Sequence, residues 1–395
     1  MSLNTTPSSN RIHIGIFGRR NAGKSSIINA ITGQNLAIVS DLKGTTTDPV
    51  QKAMELLPLG PVVIIDTPGL DDEGELGALR VQKAYQILHK TDVAILVIDG
   101  SIGFVKEDQD ILEQIRNRQI PYVIVWNKAD LDDAKGKKPD ETYLTVSTIT
   151  GENIPELKER IAKLAKTEQK ERRIVGDLLT PFDFVLLVTP IDSSAPKGRL
   201  ILPQQQTIRD ILEVGATAII VKETELEKTL HELGKKPALV ITDSQVFESV
   251  SAIIPADIKL TSFSILFARY KGNFETVVAG AFALDKLKTG DTVLISEGCT
   301  HHRQCNDIGT VKLPHWIEAH TGQKLNFAFT SGAEFPTDLS PYDCIIHCGG
   351  CMLNEREMKY RLQKATEENI PITNYGIAIA HMNHILERSI ELFRP

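Results

Sequence analysis

The sequence predicts an α/β protein built as three consecutive α/β domains. Apolar runs of strand length alternate with amphipathic helical patterns from Arg11 onward, the rhythm of a mostly parallel sheet covered by helices. The alternation restarts twice along the chain. A length of 395 residues, at about 150 per domain, fills two or three hydrophobic cores rather than one.

In the first domain, expected over 1–175, strands fall at 12–17, 62–65, 93–99, 122–126 and 143–146, with helices at 108–118 and 154–170. The charged run at 168–173 reads as a solvated helix end. The second domain, 176–269, has strands at 184–189, 216–221 and 238–242 and helices at 204–213 and 223–233, with no chemical motif. The third, 270–395, has strands at 292–296, 326–330, 343–347 and 370–373 and a last helix at 378–393. No solenoid-period repeat and no low-complexity tract interrupts this order.

Forty-four basic residues against 51 acidic ones give a formal charge of −7, with 42% hydrophobic and 24% charged residues, the balance of an ordinary globular protein. That argues against a nucleic-acid coat and against disorder, and no nucleic-acid partner is expected. Apolar runs stop short of the roughly 18 residues that span a bilayer, and the first ten residues lack an apolar signal core. A cytoplasmic protein without membrane association is therefore expected. All five cysteines lie between Cys299 and Cys351, a cluster that in a reducing compartment points to metal or reactivity rather than disulfides.

After the first strand comes Gly18-Arg19-Arg20-Asn21-Ala22-Gly23-Lys24-Ser25-Ser26, which fits G-x-x-x-x-G-K-[ST] in strand–loop–helix context. The glycines let backbone N–H groups wrap phosphates, Lys24 reaches the β and γ oxygens, and Ser25 can ligate Mg2+. Asp66-Thr67-Pro68-Gly69 ends a later strand, with Asp66 beside the Mg2+ shell and the Gly69 amide near the γ-phosphate. Asn127-Lys128-Ala129-Asp130 ends another, and the Asp130 carboxylate can accept both the imino and the amino proton of guanine, a pair adenine lacks. The expected ligand is GTP or GDP. Between these motifs, Gly44-Thr45-Thr46-Thr47-Asp48 suits a switch loop whose threonine, Thr46 or else Thr45, completes the Mg2+ shell. Ser147-Thr148 follows a strand and supplies the last base contacts.

These segments resemble the translation-factor-related GTPases, especially the tRNA-modification and ribosome-assembly branch carrying G-x-x-N-x-G-K-S and G-T-T-x-D, over residues 11 to about 165. Where many switch GTPases have a water-orienting glutamine this chain has Leu70, so slow intrinsic hydrolysis is expected. The resemblance implies that Asn21 helps hold a K+ ion where an arginine finger would stand, making hydrolysis potassium-activated; the plainer reading is an asparagine suited to a left-handed turn. Arg19 and Arg20 are expected to point to solvent rather than act as fingers.

The third domain places Cys299-Thr300-His301 after one strand and His347-Cys348-Gly349-Gly350-Cys351 after another. In a parallel sheet both loops emerge at the carboxyl edge, where α/β folds place ligands. Three converging cysteines suit an iron–sulfur cluster, and three cysteines with a histidine equally suit structural zinc. A redox dithiol at Cys348 and Cys351 leaves Cys299 unexplained. Cys344, within a strand, reads as core, and Cys305 as a spare ligand. Cys344, Cys348 and Cys351 also spell the spacing of radical S-adenosylmethionine enzymes, but too few residues follow Cys351 for the barrel that family builds after its motif.

The C-x-H and H-C-x-x-C pair behind a GTPase and a middle α/β domain resembles the HydF family, the maturation GTPases of [FeFe]-hydrogenase, over nearly the whole chain through Thr373-Asn374-Tyr375-Gly376 to the last helix. The resemblance implies a [4Fe-4S] cluster on Cys299, Cys348 and Cys351 with a labile fourth position; by their place beside the motif, Glu297, His301 and His347 are the candidates to fill it, with an open or solvent-filled position the alternative. It implies that a diiron subcluster precursor is assembled or held there before transfer to apo-[FeFe]-hydrogenase, with radical SAM maturation enzymes as further partners and a homodimer through the middle domain. GTP binding and hydrolysis would then gate partner contacts conformationally. The rival expectation is an RNA- or ribosome-associated GTPase with a C-terminal structural zinc module. A purely structural dimer with a vestigial nucleotide site conflicts with intact Lys24, Ser25, Asp66 and Asp130.

Overall fold

The computed structural model describes residues 6–33, 50–71, 74–131, 143–168, 172–191, 200–272, 274–298, 307–332 and 334–394. Thr45, Thr46, Cys299, His301 and Cys305 lie outside the described residues. The chain divides between residues 171 and 172 into two compact units.

The first unit is one six-stranded sheet. Its strands are β1 (Ile12–Phe17), β2 (Val50–Leu56), β3 (Gly60–Asp66), β4 (Val93–Asp99), β5 (Tyr122–Asn127) and β6 (Tyr143–Thr145), in the order β2-β3-β1-β4-β5-β6. All neighbours run parallel except β2, which pairs antiparallel with β3. Strand β4 is Val-Ala-Ile-Leu-Val-Ile-Asp, buried at every position, as a central parallel strand covered on both faces must be. Strand β2, absent from the sequence reading, carries a mostly exposed Gln-Lys-Ala-Met-Glu stretch at the sheet edge, so no apolar alternation announces it.

Helices α1 (Lys24–Thr32), α2 (Gly74–Ile87), α3 (Lys106–Asn117) and α4 (Ile154–Glu168) complete the unit. Helix α3 buries Ile111, Leu112 and Ile115 on one stripe, and the Asp108 carboxylate accepts from the Val105 amide at its N-terminus (3.2 Å). Two apolar layers result. One contains Ile14, Ile16, Ile27 and Ile31, the other Phe17, Ile65, Leu96 and Trp126.

The second unit holds two four-stranded parallel sheets. Strands β7 (Phe184–Val188), β8 (Thr217–Val221), β9 (Leu239–Thr242) and β10 (Lys259–Ser262) lie in the order β10-β9-β7-β8. They are accompanied by α5 (Leu202–Glu213), α6 (Leu226–Glu232), α7 (Phe247–Ile253) and α8 (Phe263–Lys271). After α9 (Phe274–Ala281), strands β11 (Thr292–Glu297), β12 (Asn326–Ser331), β13 (Cys344–His347) and β14 (Ile372–Asn374) lie in the order β12-β11-β13-β14. Helices α10 (Leu313–Thr321), α11 (Glu355–Glu367), α12 (Tyr375–Met382) and α13 (Leu386–Ile390) complete it. The two sheets share a core in which Leu186 and Val240 meet Leu294, Ile345 and Ile390.

The expected single helix over 378–393 is corrected. It begins earlier, at Tyr375, and breaks after Met382, where His384 takes a left-handed φ of +57° and the Ile385 amide folds back to the Ala380 carbonyl (2.9 Å). Helicity resumes only as the short α13. No helix among the described residues is long and apolar enough to cross a membrane.

Candidate functional sites

The loop between β1 and α1 is shaped for a polyanion. Gly23, at φ +95°, caps α1, and a Cβ there would stand 2.1 Å from Asn127 Nδ2, so the position requires glycine on both counts. The buried Lys24 ammonium donates to the carbonyls of Gly18 (2.9 Å) and Arg19 (2.8 Å), folding back over the loop. Pairing of Ile16 with Asp66 sets the end of β3 beside the loop, where Ser25 Oγ donates to Asp66 Oδ2 (3.3 Å). Asp66 Oδ1 is buried without a hydrogen-bond partner. Burial pushes the Asp66 carboxyl up, with Lys24 and Ser25 pulling it down. A carboxylate with one oxygen on a hydroxyl and the other buried and unpaired suits a hard divalent cation.

Asn127 holds the loop from the other side by donating to the Ala22 carbonyl (2.9 Å). Ser147 Oγ donates to Asp130 Oδ1 (2.6 Å), presetting the carboxylate, and Thr148 is half-buried beside it in sequence. Lys128, at φ +66°, pairs with Asp99 (2.5 Å). Burial pushes Asp99 up, but the hydrogen bonds from Lys128 and Ser101 outweigh it and hold the carboxyl below its usual range. Asn21, Ser25 and Ser26 are exposed, and Asn21 sits at φ +60°. Gly69 lies against Arg20, since a Cβ there would meet the Arg20 amide nitrogen at 3.0 Å.

Two features escaped the sequence. Asp71 accepts from the Arg20 amide (2.6 Å), tying the segment after β3 to the phosphate loop. Arg19, expected to face solvent, instead reaches Asp108 (3.4 Å) and the Gly103 carbonyl (3.3 Å). Burial raises Asp108 to about 6 even against Arg19 and the Val105 amide. Leu70 is buried in the layer with Phe17 and Ile65, so its side chain cannot address water.

In the second unit, parallel pairing of Ser296 with His347 puts the ends of β11 and β13 side by side at the carboxyl edge. Cys348 Sγ accepts from the Gly298 amide (3.0 Å) and the Gly350 amide (3.5 Å). Burial raises the Cys348 thiol to about 11 and raises Cys351 as well, while Lys271 draws Cys351 down. Cys344 is fully buried in the core, its thiol pushed up to about 12.

The residues organising this loop were invisible in the sequence. Lys271, at the end of α8 and buried, donates to the carbonyls of Leu353 (2.8 Å), Gly350 and Cys351 (3.3 Å each). Burial lowers it to about 8, with both cysteines opposing. Arg361, fully buried on α11, donates to Glu357 (3.0 Å), to the Gly332 carbonyl (2.8 Å) and to His347 Nε2 (2.9 Å). The other ring nitrogen, Nδ1, lies 2.7 Å from the Cys348 carbonyl. Arg361 thus fixes His347 as the Nδ1–H tautomer. Burial and the guanidinium drive His347 down to about 3, and both of its nitrogens are engaged.

Glu297 is buried at the end of β11 and accepts from the Tyr375 hydroxyl (3.2 Å). A Cβ at Gly309 would stand 2.3 Å from that hydroxyl and 2.7 Å from Glu297 Oε1, so only glycine fits there. Burial, then Glu297, pushes the Tyr375 phenol upward, keeping it a donor. The described donors fit an iron–sulfur group: two cysteines in a C-x-x-C turn, amides aimed at one sulfur, and a carboxylate at the neighbouring strand end.

Comparison with known proteins matches each part separately. Residues 13–128 match a 50S ribosome-binding GTPase family. The tRNA modification GTPase MnmE of Synechococcus sp. is 39% identical over 159 residues, 39% of this chain and 34% of that protein. GTPase Der of Wolinella succinogenes is 35% identical over 186 residues, 42% of this chain and 38% of Der. The chain thus spans little more than a third of the length of these curated relatives. A solved structure of a probable GTP-binding protein engB aligns over 40% of this chain and all of its own, at 23% identity and a TM-score of 0.32. Residues 174–272 match the hydrogen maturase F dimerization domain and residues 275–392 the hydrogen maturase F tetramerization domain. With two domains of that family covering more than half of its length, in order behind a GTPase domain, the chain belongs to the hydrogen maturase F (HydF) family.

Proposed function

We propose that this protein is a GTPase and a [4Fe-4S] scaffold that assembles or holds the diiron subcluster precursor and delivers it to apo-[FeFe]-hydrogenase, with GTP hydrolysis gating its contacts. The observation that carries the scaffold reading is the Cys348 loop: a sulfur receiving two backbone amides, on a turn whose three carbonyls are clamped by a buried lysine. When bound, the cluster supplies an iron whose fourth position can exchange. Cys348, Cys351 and Cys299 would hold it. His347 has no nitrogen to spare, so Glu297 and His301 are the remaining fourth-ligand candidates, and Tyr375 keeps Glu297 oriented. All three thiols must lose their protons on binding, and at Cys348 and Cys351 the amides and Lys271 stabilise the resulting charge.

In the nucleotide site, the amides of Ala22, Gly23 and Lys24 wrap the phosphates, Lys24 leaves its loop carbonyls for the β and γ oxygens, and Ser25, Asp66 and Thr46 hold Mg2+ directly or through water. Gly18 and Ser26 line the loop. Asn127, Lys128, Asp130, Ser147 and Thr148 read guanine, with Thr45 beside the switch threonine and Gly69 facing the γ-phosphate. Turnover is slow and accelerated by K+ at Asn21. Equal rates in NaCl and KCl at matched ionic strength would remove the potassium claim. Domains 1–175, 176–269 and 270–395 divide these tasks. Both family descriptions support self-association, and the tetramerization domain extends it beyond the expected dimer. Apo-hydrogenase and radical SAM enzymes are the proposed partners, in the cytoplasm.

The test is anaerobic purification followed by iron, sulfide and zinc analysis with an absorption spectrum. About four irons and four sulfides per chain with sulfide-to-iron charge transfer support the scaffold. One colourless zinc, present even after reconstitution and lost with Cys348→Ala, would replace it with a structural zinc module.

A further inference from the structure

Asp285, His320 and His381 converge on one point although they come from three separate elements. Asp285 lies in the 3-10 turn Leu284–Lys286 before β11, His320 in the last turn of α10 and His381 in the last turn of α12. His320 Nε2 stands 2.8 Å from Asp285 Oδ1, and His381 Nε2 stands 3.0 and 3.1 Å from the two carboxylate oxygens. One ligating atom from each residue lies within 4.8 Å of the others, the only such group among the described residues. The two imidazole rings lie 5.6 Å apart with planes inclined by 64°, so they do not stack.

We propose that this triad is a second metal site, separate from the cysteines, for a first-row divalent cation of the zinc class. Two imidazole nitrogens and one carboxylate are a borderline donor set, suited to Zn2+, Co2+ or Fe2+ and poor for Mg2+ or Ca2+, which take all-oxygen shells. Zinc–ligand bonds of about 2.0 to 2.1 Å place tetrahedral neighbours roughly 3.3 Å apart, so the two nitrogen-to-oxygen separations need widening by about half an ångström or less. The half-exposed Asp285 side chain can supply that movement. Helices α10 and α12 both end here, and their C-terminal carbonyls add a field that favours a cation. His384, exposed and three residues beyond His381, carries its ring 6.3 Å from that of His320. Bound metal would fasten the turn before β11 to the ends of two helices, a clamp on the domain that carries Cys348. The hydrogen-bonded carboxylate with two imidazoles is the competing reading, and it binds no metal.

The two readings separate in a cobalt(II) titration of the full-length chain carrying Cys299→Ala, Cys305→Ala, Cys348→Ala and Cys351→Ala, which removes every cysteine but the core Cys344 and leaves the triad intact. One equivalent of cobalt with visible tetrahedral bands, no sulfur charge transfer, and displacement by zinc is the expected result. Asp285→Asn and His381→Gln, each in that background, should weaken binding by about tenfold or more. Zinc should raise the thermal midpoint of the background protein and not of these variants. Failure to bind cobalt or zinc at about 100 μM, or binding that neither substitution weakens, would overturn the site. Asp285→Asn, at a half-exposed position, covers the event that His381→Gln fails to fold. Iron and sulfide content of the unsubstituted chain is a separate readout, so failure here leaves the cluster reading standing.

Discussion

The nucleotide site and the cysteine site are organised by different parts of the chain. Around the phosphate loop the ordering groups sit in the motifs themselves: Asn127 grips Ala22, Ser147 presets Asp130, and Ser25 holds Asp66. Around Cys348 they sit elsewhere. Lys271 comes from the helix after β10, Arg361 from α11 and Tyr375 from α12, all buried or nearly so. A contiguous anion cradle is built from backbone amides, which need only glycines and a helix start. A soft-metal loop at a sheet edge must have its carbonyls and charges satisfied from neighbouring helices, because its own residues spend their donors on sulfur.

The sharpest test of that separation exchanges the losses. Lys24→Ala should lower GTP turnover by about a hundredfold or more and leave iron content unchanged. Cys348→Ala should abolish the iron–sulfur cluster, read as sulfide content and sulfide-to-iron charge transfer, and leave turnover intact. Turnover and cluster content measured on both variants decide it; one variant losing both would mean that the sites are not independent.

Next in size is Arg361→Met. Removing the guanidinium strands Glu357, the Gly332 carbonyl and His347 Nε2 in a dry interior, a loss of about 3 to 5 kcal/mol of stability in the second unit. Denaturant unfolding followed at Trp316, with Trp126→Phe silencing the first unit, should show the drop there. An unchanged midpoint would show that this network contributes nothing to the loop's rigidity.

Asp130→Asn should weaken GTP binding by about a hundredfold or less and strengthen binding of xanthine nucleotides, because the amide donates to the xanthine 2-oxo group where the carboxylate accepted from the guanine amino group. Equilibrium binding of the two diphosphates checks it. No gain for xanthine would mean that Asp130 is not the base reader.

What the sequence made legible follows the same division. Strand β4 and the loop at 18–25 were readable because burial on both faces and phosphate binding each demand local composition. Edge strand β2 was not, since its exposed polar face carries no period, and the break at His384 hides inside an apolar helical pattern. At the cysteine site the C-x-x-C turn itself was legible. Its supports were not: a lone Lys271 or Arg361 reads as surface charge until the fold buries it. The Asp285 triad was missed for the same reason, its only local trace being the His-x-x-His spacing at 381 and 384.

A smaller effect concerns His347. Its pKa is about 3 in the fold against about 6.5 in an unfolded chain, so between those values the unfolded state takes up a proton that the native state refuses. Stability from this group is complete above about pH 6.5 and falls as pH drops, at up to roughly 1.4 kcal/mol per pH unit. In metal-free protein, unfolding midpoints read at Trp316 should decline from pH 7 to 4.5 more steeply than in His347→Gln. Parallel pH profiles would show that His347 titrates normally and that Arg361 does not hold it neutral.

The smallest expected effect is the most informative about the first unit. Leu70 occupies the place where a glutamine would orient water, yet its side chain is packed with Phe17, Ile65 and Ala84 beneath the sheet. Leu70→Gln should therefore leave GTP turnover within about twofold while costing roughly 1 to 3 kcal/mol of stability for a buried amide. Should the substitution instead accelerate hydrolysis tenfold, the segment after Gly69 must leave the core when nucleotide binds. The contact of Asp71 with Arg20 would then be the latch that opens.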